Sequence, residues 1–182
     1  MKNYRLLPLA LILLAAVACR HIKIHSGAEP YSSYDVHSHR SKYADPPLSD
    51  LIIPGKWWRL RSAQGAESKE PVFYNEDSIF IWLDRYPRQQ FDFNRQVRTG
   101  SEFLQRYWTA VSNNWERRDL QAELLTKNME QNYIICKTQP EEPCCTMHLI
   151  GYRQEMAYHF SIKGDLDDAE KVNLLESLFI LN

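Results

Sequence analysis

The chain has 182 residues, with 22 basic and 23 acidic side chains and a formal net charge of −1. That balance leaves no clustered positive surface for neutralising phosphates, so composition argues against a nucleic-acid-binding protein. After Ala18 no segment approaches the ~18 consecutive apolar residues that a spanning helix requires, so no membrane span is expected there.

The first element is an export signal. Lys2 and Arg5 form a positive n-region, and Leu6 to Ala18 is an uncharged apolar stretch ending in Ala16-Val17-Ala18-Cys19. Its length suits a cleaved signal rather than a membrane span. Small residues immediately before a cysteine resemble the lipobox of bacterial lipoproteins. The resemblance implies cleavage after Ala18 and acylation of Cys19. The alternative is an ordinary signal peptide cut at the same place, which leaves an exposed thiol in an oxidising compartment. Several acyl chains on Cys19 anchor a protein stably, whereas one does so only marginally. Cleavage changes the charge balance from 22 basic and 23 acidic to 20 and 23, because Lys2 and Arg5 are lost and no acid is. Arg20 and Lys23 follow the cysteine with no acidic cluster, which resembles lipoproteins retained on the outer membrane and facing the periplasm.

Residues 20–50 read as a flexible tether. Their aliphatic side chains are sparse (Ile22, Ile24, Val36, Leu48), and Pro, Ser and charge punctuate the rest. Such a segment buries too little apolar surface to offset its ordering entropy. A coil of about 31 residues spans roughly 30 Å. Four of the six histidines lie here, at 21, 25, 37 and 39. His37-Ser38-His39 offers two imidazoles to Zn²⁺ or Cu²⁺, but no acid or cysteine is spaced to complete a tetrahedral set. The expectation is therefore no metal and no cofactor.

One folded domain is expected over 51–182, about 130 residues. Trp57 to Arg61 reads as a first strand. Pro71 to Tyr74 and Ser78 to Leu83 read as a hairpin around Asn75-Glu76-Asp77. In the second arm Ile79, Ile81 and Leu83 share one face and Phe80 and Trp82 the other, which predicts a central strand covered twice. Ser101 is the expected N-cap of a helix carrying Phe103, Leu104, Tyr107, Trp108 and Val111, with its end at Asn113-Asn114.

Strands then follow over 120–125, 132–137, 144–150 and 156–162, with a proline-bearing loop at 138–143. The last strand has the clearest period-2 alternation, with Met156, Tyr158, Phe160 and Ile162 set against Ala157, His159 and Ser161. Gly164-Asp165 opens a final helix with an apolar stripe of Leu166, Ala169, Val172, Leu175, Leu178 and Phe179. The order implies an α+β fold, an antiparallel sheet with helices packed on it.

The loop at 138–143 sets Cys136 opposite Cys145, with Cα atoms about 5 Å apart and in range of a disulfide. Buried thiols are the alternative. A zinc site using Cys136, Cys144, Cys145 and His148 is disfavoured, since Cys144 and Cys145 point to opposite faces and Cys144 lies about 13 Å from His148 along a strand. No G-x-S-x-G, H-E-x-x-H, P-loop or G-x-G-x-x-G pattern is present. His148 and His159 alternate opposite the core residues, with no nucleophile or carboxylate that the sequence places beside them, so no catalytic residue is assigned. Glu141-Glu142 and Asp167-Asp168 read as solvated or capping pairs.

The stretch Ile53-Pro-Gly-Lys-Trp-Trp58, the hairpin to Leu83, the helix with Phe103-Leu104, the strand at Asn132-Tyr-Ile-Ile135 and the closing helix at Leu174–Phe179 resemble the PsbP/Mog1 type of α/β/α sandwich over about residues 51–182. The resemblance implies a non-enzymatic module working through protein contacts and transfers no site residues. The expected function is a membrane-anchored periplasmic lipoprotein serving an envelope protein complex. Two alternatives stay open: an immunity-type lipoprotein that neutralises a periplasmic toxin, and an enzyme with an unrecognised site.

Overall fold

A computed structural model describes residues 29–30, 34–44, 48–60, 72–139 and 145–182. Among these residues ten strands occur in chain order: β1 (Glu29–Pro30), β2 (Arg40–Tyr43), β3 (Leu51–Pro54), β4 (Trp58–Arg59), β5 (Val72–Tyr74), β6 (Phe80–Pro87), β7 (Ala122–Asn128), β8 (Tyr133–Thr138), β9 (Thr146–Arg153) and β10 (Met156–Lys163). The same residues form two α-helices, α1 (Gly100–Glu116) and α2 (Asp168–Leu181). Eight strands form one antiparallel sheet in the order β1-β4-β5-β6-β10-β9-β8-β7, while β2 and β3 pair separately. The fold class is α+β, as the element order implies.

Each sheet face has its own core and its own helix. Ile81, Leu83, Ile135, Met147, Leu149, Phe160 and Ile162 meet Leu175, Leu178 and Phe179 of α2. On the other face Ile134, Cys136, Ile150, Tyr152 and Ala157 meet Phe103, Leu104, Tyr107 and Trp115 of α1. The alternation in β10 therefore has a different meaning from simple inside and outside. Phe160 is fully buried under α2, and Ala157 and Ser161, on the opposite face, are buried as well. The sheet is close to α2 at Gly151, where an added Cβ would lie 2.5 Å from Cε2 of Phe179.

Both helices start with a capping box, in which a side chain and a backbone N–H at each end of the first turn satisfy one another. Thr99 accepts from the N–H of Glu102 at α1, and Asp167 accepts from the N–H of Glu170 at α2. The cap of α1 is thus Thr99 rather than Ser101. The helix also continues past Asn113-Asn114 to Glu116, which brings Trp115 onto the sheet. In α2 the expected stripe holds at Leu175, Leu178 and Phe179, but Ala169 is exposed and Lys171 takes a buried position.

Two expectations are corrected. Residues read as tether form part of the body. The Ser41 side chain is buried, donates to the carbonyl of Gly55 at 2.8 Å and accepts from the N–H of Trp57 at 3.1 Å. Tyr43 meets Phe73 edge-on at 5.0 Å. The Arg85 guanidinium donates to the hydroxyl and carbonyl of Ser49. β1 pairs with β4, placing Pro30 opposite Trp58. Burying one face of a short strand supplies the stabilisation that its thin aliphatic content conceals.

The second correction is the register of β8 with β9. Cys136 faces His148, and Thr138 faces Thr146. Cys145 lies before β9, and Cys136 and Cys145 are both free thiols. The connection is longer than the proline-based count of 138–143, which moves the pairing by three residues. An odd shift changes which side chains share a face. Cys136 therefore joins Ile150 under α1, while Met147 and Leu149 belong to the α2 core.

Candidate functional site

The extended α1 and the shifted register assemble a polar cluster inside the α1 face. β8 supplies Thr138, β9 supplies His148, and β10 supplies His159 and Ser161. His148 and Ser161 are directly opposed across the β9–β10 pair, and Cys136 is opposed to His148 across β8–β9. Directly opposed residues share a sheet face, which is why groups distant in sequence converge here. Trp115 covers both imidazoles, with ring centroids 4.7 Å from His148 and 5.8 Å from His159.

Both nitrogens of His148 have partners. The Thr138 hydroxyl lies 2.9 Å from Nε2. On the other side of the ring, Nδ1 faces the Ser161 hydroxyl at 2.8 Å and Nε2 of His159 at 3.1 Å. A neutral imidazole donates from one nitrogen and accepts at the other, so the ring bridges its two sides in either tautomer. Burial pushes His148 well below its ordinary pKa, and the neighbouring His159 adds to the effect. Burial likewise lowers His159 to about 4. Both rings are therefore neutral near pH 7. Burial also pushes the Cys136 thiol up to about 12, which removes the thiolate character that a nucleophile or metal ligand needs.

A serine hydroxyl on a histidine nitrogen is the beginning of a nucleophile–base pair. Here both nitrogens of His148 are committed to internal partners, and the ring is only 8% exposed. Neither histidine lines the surface hollow at Gln131, Tyr152 and Phe179 or that at Trp108, Glu116 and Leu120. The arrangement satisfies buried polar groups beneath a helix end.

The expected site residues fall in several places. Cys19, Cys144, His21, His25 and the Glu141-Glu142 pair lie outside the described residues. His37 and His39 are exposed in the turn before β2. There the carboxylate of Asp35 accepts from the His37 N–H at 2.9 Å and the Ser38 hydroxyl at 2.7 Å. These bonds hold Asp35 below the usual carboxylate range. Among the described residues no three His, Cys, Asp or Glu side chains are grouped to hold a metal ion. Asp167 caps α2, and Asp168 pairs with Lys137.

A second feature lies on the same sheet face beyond the end of α1. Trp58, Tyr74 and Phe80 stand opposite one another across β4, β5 and β6, and Trp82 follows on β6. Successive centroids are 5.7, 6.3 and 6.3 Å apart, with planes inclined by 29–32°. All four side chains are half-buried. Nζ of Lys56 sits 5.0 Å from the Trp58 ring and 3.6 Å from the carboxylate of Glu76.

No protein-family model matches the chain, and no curated protein does. Among solved structures, that of cyanobacterial PsbP (CyanoP) from Synechocystis sp. PCC 6803, determined in solution, is similar. It is 15% identical, with a TM-score of 0.42, over 79% of this chain and 88% of that one.

Proposed function

We propose that this protein is a membrane-anchored periplasmic lipoprotein. Its α+β body acts as a non-enzymatic binding or accessory module for an envelope protein complex. The address comes from the signal sequence and Cys19. The observation that carries the non-enzymatic reading is the internal consumption of the His148 cluster. The chain's Ser–His contact is roofed by Trp115 and hydrogen-bonded to Thr138 and His159, and it offers no free nitrogen to an incoming substrate. A sheet that ends at β7, with Leu124 on that strand 53% exposed, provides an edge and a side chain for protein contact.

The test is to cross-link the native lipoprotein in membranes, extract it in detergent, and determine both the mass of the complex and the N-terminal modification. Acylated Cys19 in a defined hetero-complex is the expected result. A lone protein whose hydrolytic activity disappears in Ser161→Ala, with its fold unchanged, overturns the proposal.

A further inference from the structure

The first described residues sit at the aromatic row. Pro30 is the strand partner of Trp58, and Cα atoms of such partners are about 4.5–5.5 Å apart. Only residues 20–28 separate Cys19 from Glu29. Ten Cα–Cα steps extend to at most about 35 Å, and a coil of that length has an r.m.s. span of roughly 16–19 Å. The pairing of β1 with β4 therefore shortens the leash from about 31 residues to about nine, and fixes where on the body it is attached. An acylated Cys19 keeps the β1–β4 edge near the bilayer, rather than letting the body turn freely above it.

The side chains at that edge suit a lipid headgroup region. Tryptophan and tyrosine concentrate at membrane–water interfaces, where an apolar ring with a polar edge is at home. Trp58, Tyr74, Phe80 and Trp82 provide four adjacent rings, with Lys56 beside the first and Lys163 opposite Phe80 on β10. α1 packs over β9, so the helix leaves this part of the face to the rings. Lys56 is already matched by Glu76, so the rings rather than net charge provide the attraction.

We propose that the face bearing Trp58, Tyr74, Phe80 and Trp82 rests in the interfacial layer of the phospholipid bilayer that holds Cys19. It would thereby orient the body, with β7 and Leu124 directed away from the lipid. This rests on the lipoprotein reading above.

The experiment uses the full mature protein, carrying its own acyl chains, in phosphatidylethanolamine–phosphatidylglycerol vesicles whose acyl chains are brominated near the headgroup. Bromine quenches tryptophan emission at short range. Two of the five tryptophans lie on the face, and the fraction of emission quenched is expected to fall about twofold or more in Trp58→Phe/Trp82→Phe. Trp57→Phe, buried in the core under α2 on the opposite side of the sheet, should leave it unchanged. Circular dichroism of each variant verifies the fold. Acylated, vesicle-bound protein that is not quenched, or is quenched equally in the double variant, overturns the proposed orientation and leaves the anchor standing. Protein without acyl chains on Cys19 overturns the anchor and the orientation together, and mass spectrometry distinguishes the two failures.

Discussion

Nδ1 of His148 lies 3.1 Å from Nε2 of His159, and the indole of Trp115 covers both rings. Two imidazoles so placed accept an added proton poorly, because a charge on either is buried and faces the other. The folded pKa values are depressed from 6.5, to about 4 at His159. The unfolded chain therefore binds more protons than the folded one between those values. The resulting stability is complete above pH ~6.5 and is lost as the pH falls toward 4. His159 keeps part of its edge at the surface, so a drop of about 2 kcal/mol between pH 7.5 and 4.5 is expected from the pair. Urea midpoints at the two pH values measure it. In His148→Gln/His159→Gln the same interval should show a clearly smaller change.

Shortening the chain to begin at Asp50 should weaken the fold, contrary to the expectation that residues 20–50 are a dispensable tether. It removes β2, the Ser41 hydrogen bonds to Gly55 and Trp57, and the contact of Tyr43 with Phe73. A loss of about 2 kcal/mol or more is expected from the hydrogen bonds and apolar burial combined. Thermal midpoints of the mature and shortened proteins decide it. Equal midpoints would mean that β2 adds nothing to the body.

Phe160 and Leu175 are both fully buried in the α2 core. Truncation of either to Ala should cost about 2–5 kcal/mol, from lost transfer energy and the cavity left behind. His159→Ala falls on the other face and opens space beneath Trp115, so about 1–2 kcal/mol is expected rather than tolerance. Denaturant titrations of the three variants rank them. A His159 variant costing more than Phe160→Ala would contradict this division of the two faces.

Gly151→Ala should destabilise by about 1–3 kcal/mol, because the new methyl meets the Phe179 ring. Phe179→Leu in the same chain should recover part of the loss. An additive double variant would show that the ring is not the obstacle.

How far the sequence could be read depended on whether a signal was local. The alternation from Met156 to Ile162 marks β10 and its α2-facing side, and the stripe at Leu175, Leu178 and Phe179 marks most of α2's buried face. Both are periodic patterns contained within one element. The histidine cluster was not legible, because its members meet only through pairing. Ser161 reaches His148 by cross-strand register. Trp115 reaches both rings because α1 runs beyond Asn113-Asn114, residues that suggested a stop. Nothing local specifies a register across a proline-bearing loop, so spacing alone does not distinguish Cys145 from His148 as the residue opposite Cys136. β2 escaped because Arg40-Ser-Lys-Tyr43 buries a serine, not an aliphatic residue, on its inner side. The aromatic row is visible in the sequence only as individual residues in three strands, and it becomes a surface through the pairing of β4, β5 and β6.

The position of β10 between β6 and β9 has a consequence in time. A chain is made from its N-terminus, and β6 ends at Pro87 whereas β10 begins at Met156. β10 is the only link in the sheet between β1-β4-β5-β6 and β9-β8-β7, so without it each of these two parts has an unpaired inner edge. Such edges pair readily with other chains. A chain cut short anywhere between Pro87 and Met156 thus leaves the inner edge of β6 without its partner and open to pairing with another chain.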